Sequence, residues 1–269
     1  MYIKYFLFNK QKQFTIIVIL LCSLVLKVHS QIPIRQSRVD SAGLIAYLSA
    51  NYSYNFILKN SDLYQESGNI MGIGTNLSLK TKSNWTVETG FNYYFAGKVK
   101  GVDSLFSMIT NSSGLIIDGN GVPADIEVDT RAWSLRLEGG KIFPLSQKAR
   151  NAGLHVKLGV GVLQRYIFIK NPDNLVMQLK EEYKKGYDHL TLGITLYQFI
   201  GYTRLSYNKF SCFYGGVEFY EVFSKRQREY DFNLMGKDNR KFFDAMIGLK
   251  FGWIIPLYKQ ENVGTYYFK

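Results

Sequence analysis

The chain has 269 residues, of which 46% are hydrophobic and 16% aromatic, and it carries 33 lysines and arginines against 21 aspartates and glutamates. Such a length suits a single barrel or sandwich domain, and no segment after residue 30 has the roughly 20 consecutive apolar residues of a membrane-spanning helix. With only Cys22 and Cys212, and the first of them inside an export leader, an intramolecular disulfide and a cysteine-based metal site are excluded for the mature chain.

Residues 1–30 read as a cleavable signal peptide. Lys4, Lys10 and Lys12 form a positive start, Phe14 to Leu26 are mostly apolar, and Val28-His29-Ser30 precedes a cleavage point at Gln31. The alternative, an uncleaved anchor, would need a longer apolar run. Leu21 before Cys22 departs from a lipoprotein signal, which wants a small residue there. Removing Lys4, Lys10, Lys12 and Lys27 leaves 29 basic against 21 acidic residues, a net charge of +8. For an exported chain that surplus points to anionic lipid headgroups and away from nucleic acid.

Eight stretches of alternating polar and apolar residues follow, predicting strands at 44–56, 69–79, 85–96, 130–142, 153–166, 189–203, 210–222 and 243–255. The links between them are alternately long and short. An up-and-down barrel produces that rhythm when one rim carries tight turns and the other long loops. With the N-terminus in the periplasm, the loops near 57–68, 97–129, 167–188 and 223–242 lie outside. The expected organisation is a signal peptide (1–30), an N-terminal periplasmic segment (31–43), a barrel (44–256) and a periplasmic C-terminal tail (257–269).

Successive side chains of a strand point to opposite faces, so parity separates the faces. In the first strand Leu44, Ala46, Leu48, Ala50, Tyr52, Tyr54 and Phe56 oppose Tyr47, Ser49, Asn51, Ser53 and Asn55. In the fifth, Leu154, Val156, Leu158, Val160 and Val162 oppose His155, Lys157, Gly159 and Gly161. Strand six is less regular, because Gln198 interrupts its apolar face. A soluble lipocalin-like periplasmic barrel would turn the apolar face inward. Three features favour the inverted arrangement. Aromatics on the apolar faces gather toward strand ends, at Tyr52, Tyr93, Phe95, Trp133, Tyr166, Phe219, Trp253, Trp85 and Phe213, a distribution that suits two interfacial girdles. The polar faces are rich in glycine and carry both charge signs. An export signal precedes them.

The last strand contains Met246-x-Gly248-x-x-Phe251-x-Trp253. With this motif and the eight alternating segments, residues 42–256 resemble the small eight-stranded outer-membrane barrels of Gram-negative bacteria, the OmpA/OmpX-like and PorT-like group. The resemblance implies an all-β, antiparallel, up-and-down transmembrane barrel and a last-strand signal read by the barrel-assembly machinery, carried here by Gly248, Phe251 and Trp253. Two departures stand out: Met246 occupies a usually polar position, and a tail ending Tyr266-Tyr267-Phe268-Lys269 follows the strand.

The candidate sites divide by location. Glu88, Arg136, Glu138 and Lys157 fall on consecutive inward faces, and Glu218 with Lys250 makes a diagonal pair across the last hairpin; the expectation is a lumen charge network that fills the barrel. At the outer rim Asp188 and His189 form one acid–base pair without a serine nucleophile, while His155 points inward near the periplasmic rim. The second outer loop holds Asp118, Asn120, Asp125, Glu127 and Asp129, oxygen donors dense enough for calcium yet off the EF-hand pattern. A hairpin extending strands three and four, with Leu115-Ile116-Ile117 against Ile126-Glu127-Val128, is favoured there. In the third loop Asn171, Pro172 and a Lys184-Lys185-Gly186 ending predict a helix with Leu175, Val176, Leu179 and Tyr183 on one side. The fourth is basic: Lys225, Arg226, Arg228, Arg240 and Lys241 are candidate contacts to lipopolysaccharide phosphates. Asp40-Ser41-Ala42 and Asp103-Ser104-Leu105 resemble a short bacterial O-glycosylation motif.

These readings favour a non-enzymatic outer-membrane barrel without a cofactor. Its role would be binding or scaffolding through the outer loops, or service in an envelope or secretion assembly. The alternatives are a narrow pore or transporter and a rim-located lipid-modifying enzyme using Asp188 and His189.

Overall fold

The computed structural model describes residues 44–257, apart from 60, 97, 98, 148, 173, 181 and 207–211. The expected signal peptide, the N-terminal segment with Asp40-Ser41-Ala42, and the tail beyond residue 257 lie outside the described residues. Eight strands follow one another: β1 (Ile45–Ile57), β2 (Ile70–Lys80), β3 (Trp85–Ala96), β4 (Glu127–Pro144), β5 (Ala152–Lys170), β6 (Thr191–Arg204), β7 (Phe213–Arg226) and β8 (Lys241–Pro256). Each pairs antiparallel with the next, and β8 closes the ring on β1. The fold is an all-β, up-and-down, eight-stranded barrel.

Register sets its width. Pair partners followed from Leu48 run through Leu77, Thr89, Leu137, Val160, Leu196, Glu221 and Ala245. The path returns to β1 at Leu58, ten residues from its start (48 to 58), because Ile57 pairs with Met246 and the Leu58 amide donates to the Ala245 carbonyl. Ten rises of ~3.3 Å against eight strand spacings of ~4.8 Å tilt the strands by about 40° and give a backbone radius of about 8 Å. An interior that narrow is filled by side chains.

The faces fall opposite to those of a lipocalin-like barrel. Leu48, Tyr52, Leu77, Phe91, Leu137, Val160, Ile194, Leu249 and Phe251 are exposed on the outer surface. Ser49, Asn51, Asn76, Glu88, Arg136, Glu138, Lys157, Thr195 and Lys250 are buried inside. Charge within and hydrocarbon without is the inverse of a water-soluble core. Phe219 departs from its expected girdle: paired with Gln198, it falls at the middle of β7.

Several ends differ from the sequence-based expectation. Strands β4 and β5 run further out, pairing through Glu127 and Lys170. Beyond the barrel their inner face is covered by loops, where Ile167 and Ile169 pack with Leu105, Phe106, Val176, Leu179 and Tyr187 in a second apolar core. The expected extension of β3 by Leu115–Ile117 is not made. That segment forms isolated bridges, Thr110 with Ile116 and Ile117 with Pro123, around a turn with Gly121 at φ +80°. The helix expected in the third loop does not form among its described residues. Two single turns of 3₁₀ helix, Met177–Leu179 and Tyr183–Gly186, replace it. Asn174 is left-handed at φ 52°, and the Asn171 side chain donates to the Val176 carbonyl at 3.1 Å instead of capping. Val176 and Leu179 are drawn into the curved loop core, whereas Tyr183 of the same expected stripe is exposed. Strand β6 starts after His189, whose φ of 49° is incompatible with a strand. Short helices α1 (Leu63–Glu66) and α2 (Val102–Leu105) complete the outer loops, and Asp103-Ser104-Leu105 lies in α2 with Leu105 buried.

Candidate functional site

The lumen network is assembled by register. Glu88 and Glu138 are direct partners across β3 and β4, a repulsive arrangement alone. Lys157 from β5 resolves it, with Nζ 2.8 Å from Glu88 Oε2 and 3.1 Å from Glu138 Oε2. Arg136 Nε lies 3.1 Å from Glu138 Oε1. Its guanidinium also donates to Asn92 Oδ1 at 3.0 Å and Ser134 Oγ at 2.6 Å, and sits 4.6 Å from the centre of the Tyr197 ring. Tyr47 donates its hydroxyl proton to Glu88 Oε1 at 2.9 Å. Across the last hairpin Lys250 Nζ is 3.2 Å from Glu218 Oε2, the oxygen that also accepts from the hydroxyls of Tyr197 and Tyr220. Three carboxylates therefore face three cations, all of them at most 2% exposed. A charged group taken out of water is stabilised only by such close pairing.

Two glycines make the room. A Cβ on Gly90 would lie 2.9 Å from Asn76 Oδ1 and 3.3 Å from Arg136 Nη2. One on Gly161 would stand 2.2 Å from the Leu135 carbonyl oxygen and 2.8 Å from Arg136 Cγ. Nearer the rim of short turns, His155 is buried between hydroxyls, its ring nitrogens 3.0 Å from Thr86 Oγ1 and 2.9 Å from Thr203 Oγ1.

The mouth at the long-loop end is capped by the first loop. Asp244 of β8 accepts from the Leu63 amide at 2.7 Å and from Ser61 Oγ at 3.0 Å, which draws Leu63 into the barrel end. Glu66 of α1 follows: its carboxylate binds Arg165 of β5, lies 2.8 Å from Arg226 Nη2 of β7, and is 3.6 Å from His189 Nδ1. Burial would raise the Glu66 pKa, but Arg165, His189 and Arg226 outweigh it and hold the carboxyl well below the usual range. The sequence reading singled out neither Glu66 nor Arg165. Arg165 continues the inward parity of His155 and Lys157, so alternation contained that signal. Glu66 lies in a loop with no periodicity to reveal it.

The five basic candidates of the fourth loop separate sharply. Arg226 is buried, held by Glu66 and by Asp238, with Nε 3.4 Å from Asp238 Oδ2. Arg228 grips Asp188 through two nitrogens. Arg240 Nη2 is 2.8 Å from Asp238 Oδ2, and its hydrogen bonds hold the Asp238 carboxyl down at about 2. Lys225 and Lys241 remain: direct cross-strand partners on the outward face, one step above the Phe223–Phe243 pair, whose rings are 5.2 Å apart. Neither lysine has an ion pair among the described residues.

The expected Asp188–His189 pair does not form. Asp188 is committed to Arg228, while His189 Nε2 faces Asp231 Oδ2 at 3.4 Å. The left-handed backbone at His189 turns the two neighbouring side chains apart. Nor does the second loop bring its oxygen donors together. Asp118 Oδ1 accepts from the Asn120 and Val122 amides at 2.8 and 3.1 Å. Glu127 pairs with Lys170 Nζ at 2.8 Å, and Asp129 lies 3.8 Å from Arg131. Asp125 is not drawn into either contact, and no group of three potential metal ligands from histidine, cysteine, aspartate or glutamate exists among the described residues. On β8, Phe251 and Trp253 point outward, while Gly248 and Met246 face inward. A Cβ on Gly248 would meet Asn55 Oδ1 at 2.1 Å.

Fold and lumen together define an inside-out, eight-stranded barrel, the architecture of the small outer-membrane barrels. No family model matches the chain, and no curated protein matches it. Solved structures similar to it include Ail, the attachment invasion locus protein of Yersinia pestis, at 13% identity over 78% of this chain and 99% of that one, with a TM-score of 0.38. A major outer membrane protein from Thermus thermophilus aligns at 10% identity over 79% and 99% of the two chains, also with a TM-score of 0.38. At such scores the fold assignment rests on the closed ring of hydrogen-bonded strands.

Proposed function

We propose that this protein is a non-enzymatic outer-membrane barrel of a Gram-negative bacterium, exported through a cleaved signal peptide, whose outer loops bind or scaffold. It would do so alone or within an envelope or secretion assembly. One observation carries the reading: an apolar outer belt surrounds a lumen in which three acids and three bases neutralise one another beneath a folded cap. A belt of that kind favours lipid, and a plugged interior disfavours a pore or transporter. The elaborated part is the loop layer, with its own apolar core. Membrane lipid is the first partner, with lipopolysaccharide phosphates at Lys225 and Lys241, the two basic candidates without a carboxylate partner among the described residues. Gly248, Phe251 and Trp253 are the segment offered to the barrel-assembly machinery during biogenesis.

The test combines fractionation with electrophysiology. The protein is expected in the outer-membrane fraction, with gel mobility that changes on boiling, and with negligible single-channel conductance in planar bilayers. A freely soluble protein would remove the membrane assignment. Steady, reproducible channels would replace the binding role with a pore.

A further inference from the structure

Between the third and fourth outer loops lies a cavity of about 450 Å³ lined by Glu182, Tyr183 and Lys185 on one side and Gln227, Glu229 and Tyr230 on the other. We propose that this cleft binds a neutral saccharide unit of a glycan. The proposal rests on the reading that these loops face outside, and it adds the chemical class of their ligand.

The walls are held before any ligand arrives. Arg228 joins the fourth loop to Asp188 of the third, with Nε 2.9 Å from Asp188 Oδ1. Phe232 packs against Gly186, where a Cβ would stand 2.1 Å from its ring. Its ring centre is 4.8 Å from that of Tyr187 and 5.4 Å from that of Tyr230. The Phe232 amide donates to the Gly186 carbonyl at 3.2 Å. Tyr187 in turn belongs to the loop core. Preformed walls lower the ordering cost of binding.

Chemistry selects the ligand. Tyr183 and Tyr230 are 64% and 46% exposed, large rings kept at the rim of a cleft. Pyranose rings carry a face of C–H groups that stacks on such aromatics, and hydroxyls that pair with planar amides and carboxylates. Gln227 and Glu229 supply those groups. The charges are nearly spent: Lys185 pairs with Glu182 at 2.6 Å and Arg228 with Asp188, so neither cation of the lining is left unpaired to attract a phosphate or sulfate. A peptide adding as a strand would need a free sheet edge, and none of the residues lining the cleft belongs to a strand.

The test uses the barrel in phosphatidylcholine nanodiscs, which contain no sugar, with glucose-, galactose- and N-acetylglucosamine-based disaccharides as probes. Saturation-transfer NMR should show at least one of them bound through its C–H face. Tyr230→Ala should weaken that binding about tenfold, a loss of about 1.4 kcal/mol. Tyr230→Phe should retain it, and gel mobility should show both variants folded. No transfer to any disaccharide from the folded protein would overturn the proposal, as would binding insensitive to Tyr230→Ala or a preference for sulfated analogues. The sources of sugar are separated by repeating the titration in native outer-membrane vesicles: lost probe binding there identifies the cell's own surface glycan, and retained binding a foreign one. Lys184→Cys, labelled on intact cells by an impermeant maleimide, tests exposure separately. Failure to label refutes the outward orientation, and failure to bind with labelling intact refutes only the saccharide.

Discussion

Glu138→Ala isolates what the lumen network contributes. Glu138 is fully buried and bridges Arg136 at 3.1 Å to Lys157 at 3.1 Å. Removing one partner of a buried pair costs roughly 3–5 kcal/mol, because the remaining charge is stranded. Here the lower end applies. Lys157 keeps Glu88 at 2.8 Å, and Arg136 keeps Asn92 and Ser134, but Arg136 loses the carboxylate paired with it at 3.1 Å. A loss of about 3 kcal/mol corresponds to a fall of about 6–12 °C in the unfolding midpoint for a domain of this size. The assay is thermal unfolding in lipid vesicles, followed by heat-modifiable gel mobility, beside planar-bilayer recordings of the same preparation. Destabilisation without conductance is expected, since Tyr197, Tyr220 and Lys250 still occlude the centre. An unchanged midpoint, or channels opened by this one substitution, would refute the idea that these charges are paired filler. Replacing Arg136 by Met and Glu138 by Leu together should recover most of the loss, because a packed apolar pair needs no solvation.

The mouth should respond to acid. Glu66 and Asp238 have folded pKa values below their unfolded ones, so their stabilisation is present above the ordinary carboxylate range near 4 and is lost as pH falls toward the folded values, about 2 for Asp238. Protease cutting or hydrogen exchange in the first loop should therefore increase from about pH 4 downward while the strands stay protected; a first loop equally protected at pH 7 and pH 3 would contradict the latch. Lys225→Gln combined with Lys241→Gln should reduce retention of lipopolysaccharide on the purified barrel and flatten its salt dependence. Arg240→Gln, whose guanidinium is already paired with Asp238, should do so far less; equal effects would remove the special role of the lysine pair.

Sequence alternation carries furthest where one rule governs both faces. In β1, β3 and β8 each residue sees either the lumen or the outer surface, so parity identified Ser49, Glu88 and Lys250 as inward. The network was legible for the same reason, as inward charges on neighbouring strands have few other places to go. Parity failed beyond the barrel ends, where β4 and β5 continue under a roof of loops, and a helical pattern was read into residues that instead wrap a curved core.

Strand count, the division into two faces and the charged residues of the lumen all follow from the chain as written, because a two-residue period is local. Which basic residues are spent and which are free does not follow, since Arg226 and Arg228 are neutralised by carboxylates 160 and 40 positions away. The same holds for Glu66 in the mouth and for the cleft between the third and fourth loops. Those sites exist only once ring closure brings distant loops over one small opening.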